Sequence, residues 1–173
     1  MIAKRVEESL VLRLITLGDR LKRRRDIISQ NLGISTQEWL VMLHLAHDPN
    51  LGDPARPGPP NLPLLASELA DVLNVSRPNI TNMINSLLDK NLVKQVEDAD
   101  DKRRKRLTLS EQGQQLLDTL QPHRELLNST LLETFSQGDK EEFLHFAEMC
   151  LQTLDEQVPN EILRQEVVSP DFV

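Results

Sequence analysis

Between Glu97 and Leu107 the chain reads EDADDKRRKRL, four acids within five positions followed by five consecutive bases. Adjacent cationic heads can hold phosphate. The plainer fate of such a cluster is a solvated surface run. A second group lies about twenty residues earlier, in SRPNITNMINSLLDK (76–90). There Asn79, Asn82, Asn85, Ser86 and Asp89 fall largely on one side of a helix, with Arg77 and Thr81 at its edges. Asparagine, serine and threonine weaken a helix relative to the Glu, Lys and Gln of an ordinary solvated face. Short amides and hydroxyls suit hydrogen bonds to base edges and phosphates. Drift on an exposed face is the alternative, and the flanking elements decide between the two.

The apolar pattern supplies those elements. Residues 4–31 read as a long helix, with Val6, Leu10, Leu14, Leu17, Leu21 and Ile28 near helical spacing and Gly33 as its stop. ISTQEW opens a second helix, Ser35 and Glu38 having capping-box spacing. Residues 48–63 hold six prolines and two glycines in sixteen positions, which forbids helix and predicts an exposed excursion. LLASELADVL (64–73) reads as a short helix. Asn74 suits a left-handed cap, Ser76 caps the next helix, and Pro78 lies in its first turn. Ile80, Met83, Ile84, Leu87 and Leu88 form that helix's apolar stripe. After Asn91, LVKQVE and RLTLS read as two strands, so the charged stretch forms a hairpin tip. A helix from Ser110 to about Phe135 follows, with Pro122 expected to kink it. A last helix starts near GDKEEF, where Asp139 and Glu142 have capping-box spacing, and carries Phe143, Ala147, Cys150 and Leu154. Helix, short turn, helix, strand, charged loop, strand is the order of a helix-turn-helix followed by a wing.

Composition bounds the function. The chain has 173 residues and a net charge of −7, but residues 111–173 hold 3 bases and 13 acids, while residues 1–45 sum to +3 and 62–110 to +1. The acidity therefore says little about what the middle binds, because local patches steer the encounter with a polyanion. No run is long enough for a membrane span, no signal peptide is evident, and the expected compartment is the cytoplasm. One cysteine excludes an internal disulfide framework. Aromatic residues make up 3%, which argues against stacking platforms for single strands.

The stretch from ISTQEWLVMLHLA, across the Pro-rich insertion, to LLASELADVLNVSRPNITNMINSLLDKNLVKQVEDADDKRRKRLTLSEQG resembles the MarR family of winged-helix transcription regulators. The likeness is closest over ADDKRRKRLTLSEQG and extends over roughly 4–157. It implies a mainly α fold with a small β-hairpin, in which residues 35–110 form a winged helix-turn-helix DNA-binding lobe with its insertion at 48–63. Residues 1–34 and 111–158 would form a helical dimerisation region, and 159–173 a tail. Three long amphipathic helices outside the winged-helix module independently call for a partner to cover their stripes. By resemblance, Ser76, Arg77, Pro78, Asn79, Thr81 and Asn82 fall on the start of the recognition helix, Asn82 being the best candidate for a base edge. Arg103 matches the wing arginine that enters the minor groove, and Asp101 the acid that orients it. Lys102, Arg104 and Lys105 would touch phosphate, and Ser35 and Thr36 could offer helix N-terminal N–H groups to it. The departures are the long insertion, Asn74 and Asn91 in place of glycines, and Pro78 where a small hydroxyl residue is common.

The implied partners are double-stranded DNA, a second copy of the chain and a small, often phenolic or anionic, effector, with no cofactor. Two recognition helices about one helical turn apart would meet a pseudo-palindromic operator, and occupancy would repress. The rivals rest on fewer residues. His44 and His47 at i, i+3 beside Asp48 have metal-ligand spacing, but no Gly-rich phosphate loop or GxSxG elbow accompanies them. A winged helix used only for protein contact leaves the wing bases unexplained. Redox sensing through Cys150 competes with a buried, inert thiol on an apolar stripe, which is the expectation. The run RLKRRR (20–25) either extends the phosphate footprint or is a solvated face.

Overall fold

The computed structural model describes residues 5–51, 63–98 and 101–157. Most of the Pro-rich insertion, residues 158–173 and Ala99 and Asp100 at the hairpin tip lie outside them. By contacts the chain divides into residues 1–120 and 121–173.

The first unit opens with α1 (Val6–Gln30), followed by α2 (Thr36–Leu45) and a single 3-10 turn at Pro49–Leu51. The chain resumes in β1 (Leu64–Leu65), then α3 (Ala66–Val72), α4 (Arg77–Asp89), β2 (Val93–Glu97) and β3 (Lys105–Leu109). α5 (Glu111–Leu131) crosses the division ten residues after it begins and runs on through Pro122. The strands form an antiparallel sheet in the order β1-β3-β2, with Leu64 opposite Leu107 and Val93 opposite Leu109. The fold is thus mainly helical with a small sheet. Leu64 and Leu65, read from the sequence as the start of a helix, pair with β3 as a third strand instead. Two residues are too few for a period to declare itself, and the pairing depends on a strand some forty residues away.

Helix ends follow one device. Gly33, His47, Asn74 and Asn91 all have positive φ, at 72°, 51°, 49° and 55°. At each, the next residue's N–H reaches back to a carbonyl of the last turn: Ile34 to Ser29, Asp48 to Leu43, Val75 to Ala70 and Leu92 to Leu87. Orphan carbonyls are thereby satisfied and the chain reverses in few residues. Asn tolerates this region because its short amide bonds locally, so the two asparagines serve where glycine is commoner. His47 does the same without the sequence announcing it.

The core of this unit is aliphatic apart from Trp39. Val41, Met42 and Leu45 from α2, Leu69 from α3, Ile80, Ile84 and Leu87 from α4, Leu107 from β3 and Leu117 and Leu120 from α5 are all buried. The α4 stripe therefore lies inward, and its polar side does not.

Gly113 locks α5 to the sheet. A Cβ there would stand 2.0 Å from the Leu92 carbonyl oxygen, so no larger residue fits without moving backbone. The Ser110 hydroxyl donates to the Asn91 carbonyl at 2.6 Å, and the Ser110 amide donates to the Leu92 carbonyl at 3.0 Å. The hydroxyl oxygen also accepts from Gly113 N–H at 2.9 Å, making Ser110 the cap its position suggested.

In the second unit the end of α5 is followed by α6 (Gln137–Gln157). α5 stops at Leu131, short of Phe135, because Ser136 and Asp139 begin a new helix reciprocally. Ser136 N–H donates to the Asp139 carboxylate at 2.9 Å, and Asp139 N–H donates to the Ser136 hydroxyl at 3.2 Å. The capping pair is thus Ser136–Asp139, three residues before the Asp139–Glu142 spacing picked from sequence; Asp139 closes the box instead of opening it. The Ser136 hydrogen bonds hold the Asp139 carboxyl below its usual value. Phe135 and Phe143 meet across the turn with ring centroids 6.4 Å apart.

Cys150 is exposed, against the expectation of a buried thiol. The stripe it belongs to is real, but among the described residues nothing covers it. No described helix is long and apolar enough to cross a membrane.

Candidate nucleic-acid interface

α4 presents its polar side as the sequence pattern requires. Ser76 caps it, its hydroxyl accepting from Asn79 N–H at 3.4 Å, and Pro78 occupies the first turn, where a missing donor costs nothing. Ser76, Arg77, Pro78, Asn79, Thr81, Asn82 and Asn85 are all exposed. Ile80, Met83, Ile84 and Leu87 are buried on the opposite side. The asparagines follow each other at three-residue steps, one helical face of amides. Thr81 is partly committed, its hydroxyl donating to the Arg77 carbonyl at 2.8 Å. Arg77 forms an ion pair with Asp71 of α3 at 3.1 Å, bridging the two helices of the helix-turn-helix. Ser86 is half-buried and turns away from the amide face to hydrogen-bond Glu38.

The hairpin joins this helix through Asn91 and β2. Its turn is organised by carboxylates. Asp101 accepts three hydrogen bonds from Arg103: the backbone N–H at 3.0 Å and Nε–H at 3.1 Å on one oxygen, and a terminal N–H at 3.3 Å on the other. The side-chain bonds from Arg103 come first among the causes that hold the Asp101 carboxyl below its usual value, ahead of the Arg103 amide. Arg104 approaches the same carboxylate at 3.7 Å, and Lys105 pairs with Glu97 across the hairpin at 3.3 Å. The Arg103 side chain is nonetheless 91% exposed. Asp101 therefore does not bury Arg103. It holds a forked, solvent-facing guanidinium in one place, which lowers the entropy cost of presenting it to an anion. Lys102 is exposed at the same turn.

Ser35 and Thr36 are placed differently from Arg103. Ser35 is used within α2's own cap: its amide donates to Glu38 at 2.6 Å and its hydroxyl accepts from Glu38 N–H at 3.1 Å. Thr36 is buried, and its hydroxyl donates to Asp26 of α1 at 2.5 Å. Of the backbone N–H groups expected to face phosphate, that of Ser35 is taken up by Glu38. Glu38 is itself buried and accepts from Lys90 Nζ at 2.7 Å, tying the start of α2 to the end of α4. Burial raises its pKa, but hydrogen bonds from Lys90, Ser86 and Ser35 outweigh this and pull it below the ordinary value.

Two charged residues at the hairpin base escaped the sequence reading. Asp98 is buried and pairs with Arg106, which is only half-exposed. Arg106 was the fifth base of the cluster, and strand alternation beside the inward Leu107 gave no sign of its partial burial. His44 lies in the last turn of α2 and His47 just past it; no described group of three or more His, Cys, Asp or Glu could hold a metal ion.

Residues 32–104 match the family model described as MarR family. No curated protein matches the chain. Among solved structures, a MarR protein from Peptoclostridium difficile superposes with a TM-score of 0.72 at 16% identity, covering 89% of this chain and 92% of that one. The transcriptional regulator SlyA superposes with a TM-score of 0.69 at 16% identity, covering 84% and 94%. The MepR–DNA complex from S. aureus gives 0.67 at 20% identity, covering 84% and 95%.

Proposed function

We propose, for a chain whose residues 32–104 belong to the MarR family of winged-helix transcription regulators, that it binds double-stranded DNA as a homodimer and represses from a pseudo-palindromic operator in the cytoplasm. The observation that carries the reading is the pairing, within one unit, of an exposed asparagine face on α4 with a solvent-facing Arg103 held by Asp101. In this reading α4 lies in a major groove, where Asn82 pairs with an adenine edge. Arg103 enters the adjoining minor groove, favoured by its negative potential. Lys102, Arg104 and Lys105 contact phosphate, while Ser76, Arg77, Pro78, Asn79 and Thr81 seat the start of the helix. The DNA complex of MepR, which shares the fold, supports the choice of partner. A second copy is needed to cover the apolar faces of α1 and α6, and its two-fold axis would place two α4 helices one turn of DNA apart. A small-molecule effector would release the operator only by preferring one spacing of the two lobes over another.

Selection of bound sequences from random duplexes tests this. The wild-type chain is expected to enrich a two-fold-related site with an affinity that falls steeply with salt. Arg103→Ala should weaken that site by about 1–3 kcal/mol, and Asn82→Ala should in addition relax base choice at one position in each half-site. No enrichment, or a shallow salt dependence with both variants binding like wild type, overturns the reading.

A further inference from the structure

Arg106 is set apart from the four bases before it. Its side chain is 26% exposed, while the Asp98 carboxylate it pairs with is 3% exposed. The guanidinium makes its fork count: Nε–H donates to Asp98, a terminal N–H donates to the Pro63 carbonyl at 3.1 Å, and the same nitrogen stands 3.9 Å from Glu68. Glu68 in turn accepts the Leu65 N–H at 2.8 Å, at the junction of β1 and α3. Asp98 is engaged on its other side as well. Its second oxygen accepts the Asp101 N–H at 3.0 Å, and its own N–H donates to the Arg104 carbonyl at 3.2 Å. Asp101 then holds Arg103. An unbroken line of charge-assisted hydrogen bonds thus runs from the body of the unit to the exposed arginine at the hairpin's end.

Such a line is costly to bury and costly to break at one point. A buried pair often contributes little net stability compared with apolar residues of the same volume, yet losing one partner strands a charge. Its return here is geometric. Among the described residues, the hairpin beyond β1 has its own two strands to fix its direction, and a guanidinium held by two acceptors with a third carboxylate 3.9 Å away limits that direction in a way that side-chain packing does not.

We propose that Arg106 is a positioning residue which, through Asp98 and Asp101, sets where Arg103 sits relative to the α4 amide face, so that one base of the cluster orients the hairpin while the others meet the polyanion. This deepens the DNA reading above and rests on it for its functional consequence.

The test uses the full chain with Asp98→Leu/Arg106→Met, which removes both charges and keeps the bulk, alongside Arg106→Lys, which keeps the charge and loses the fork. Hydrogen exchange reads the hairpin without DNA. The Asp101 and Arg104 amides should exchange about tenfold faster in the double variant, with α4 amides unchanged. On a duplex selected by the wild-type chain, hydroxyl-radical protection in the minor groove should disappear while guanine N7 protection in the major groove stays, and affinity should drop about tenfold. Arg106→Lys should lie between wild type and double variant in both readouts. Wild-type exchange at Asp101 and Arg104 overturns the proposal, as does an intact minor-groove footprint or an equal loss in both grooves. If the wild-type chain selects no duplex, the DNA reading fails, and the exchange rates still decide whether Arg106 fixes the hairpin.

Discussion

The apolar sides of α4 and α6 repeat at the same spacing, yet one is buried and the other is not. In α4 the stripe of Ile80, Met83, Ile84 and Leu87 is filled by α2, α3 and β2, and what remains outside is a face of amides. In α6 no described side chain is buried, and Phe143, Leu144, Phe146, Met149, Leu151 and Leu154 stay open to solvent. α1 resembles α6: only Ser29 is buried, while Val6, Leu10, Val11, Leu12 and Ile15 are each more than half exposed. Among the described residues, all eighteen buried apolar ones lie between Ile34 and Leu120. Covering a large side chain is worth about 1.5–3 kcal/mol, so exposed faces of this size are the surfaces on which the proposed pairing would act. α4 has its apolar side covered and a polar side left for other contacts; α1 and α6 have apolar sides that no described residue covers.

Three perturbations bear on this contrast. The largest effect is expected from Leu10→Asp/Leu14→Asp in α1. If the apolar helices are an interface between copies, the double change should weaken association by about 4 kcal/mol, roughly a thousandfold. Sedimentation equilibrium would show monomer where wild type is dimer, with the near-ultraviolet signal of buried Trp39 unchanged. A wild-type chain that is already monomeric would remove the contrast altogether.

Gly113→Ala strikes the covered region. Alanine normally gains helix stability over glycine, but here its methyl meets the Leu92 carbonyl at 2.0 Å. The clash should win by about 2–3 kcal/mol, read as a lower thermal midpoint. Unchanged or raised stability would mean that α5 is not held against the end of α4.

Glu38→Gln is expected to have the smallest effect, about 1–2 kcal/mol. An amide oxygen can still close the cap, but the charge paired with Lys90 is lost, and that ammonium is a third exposed, so solvent screens part of the attraction. The pH dependence has a definite sign. Because the folded carboxyl lies below its ordinary value of 4.5, its contribution is whole above that pH and fades as the pH drops through the lower folded value. Denaturant midpoints of wild type and variant should therefore converge as the pH is taken down from 4.5. A gap that stays constant across this range would assign the loss to packing.

Much of this was legible beforehand because it rests on local rules. Ser35 with Glu38, Ser76 with Pro78, and Asn74 and Asn91 at helix ends each act within a few residues, so spacing alone located them. The same logic failed at Ser136, where two overlapping acid spacings competed and the upstream serine won. It also failed at Leu64 and Cys150, since a strand needs its neighbour and burial needs a covering surface.

The chain of residues by itself determined the period of each helix, the stops between them, the inward stripe of α4 and the crowding of charge at the hairpin, because all of these follow from backbone preference and side-chain order. Tertiary structure decided which charges face water. Arg103 and Arg106 are three residues apart and chemically the same, yet one is held outward by Asp101 and the other inward by Asp98. That difference comes from the sheet register and from the Pro63 carbonyl and Glu68 beside β1, groups some forty residues away whose approach no local pattern encodes.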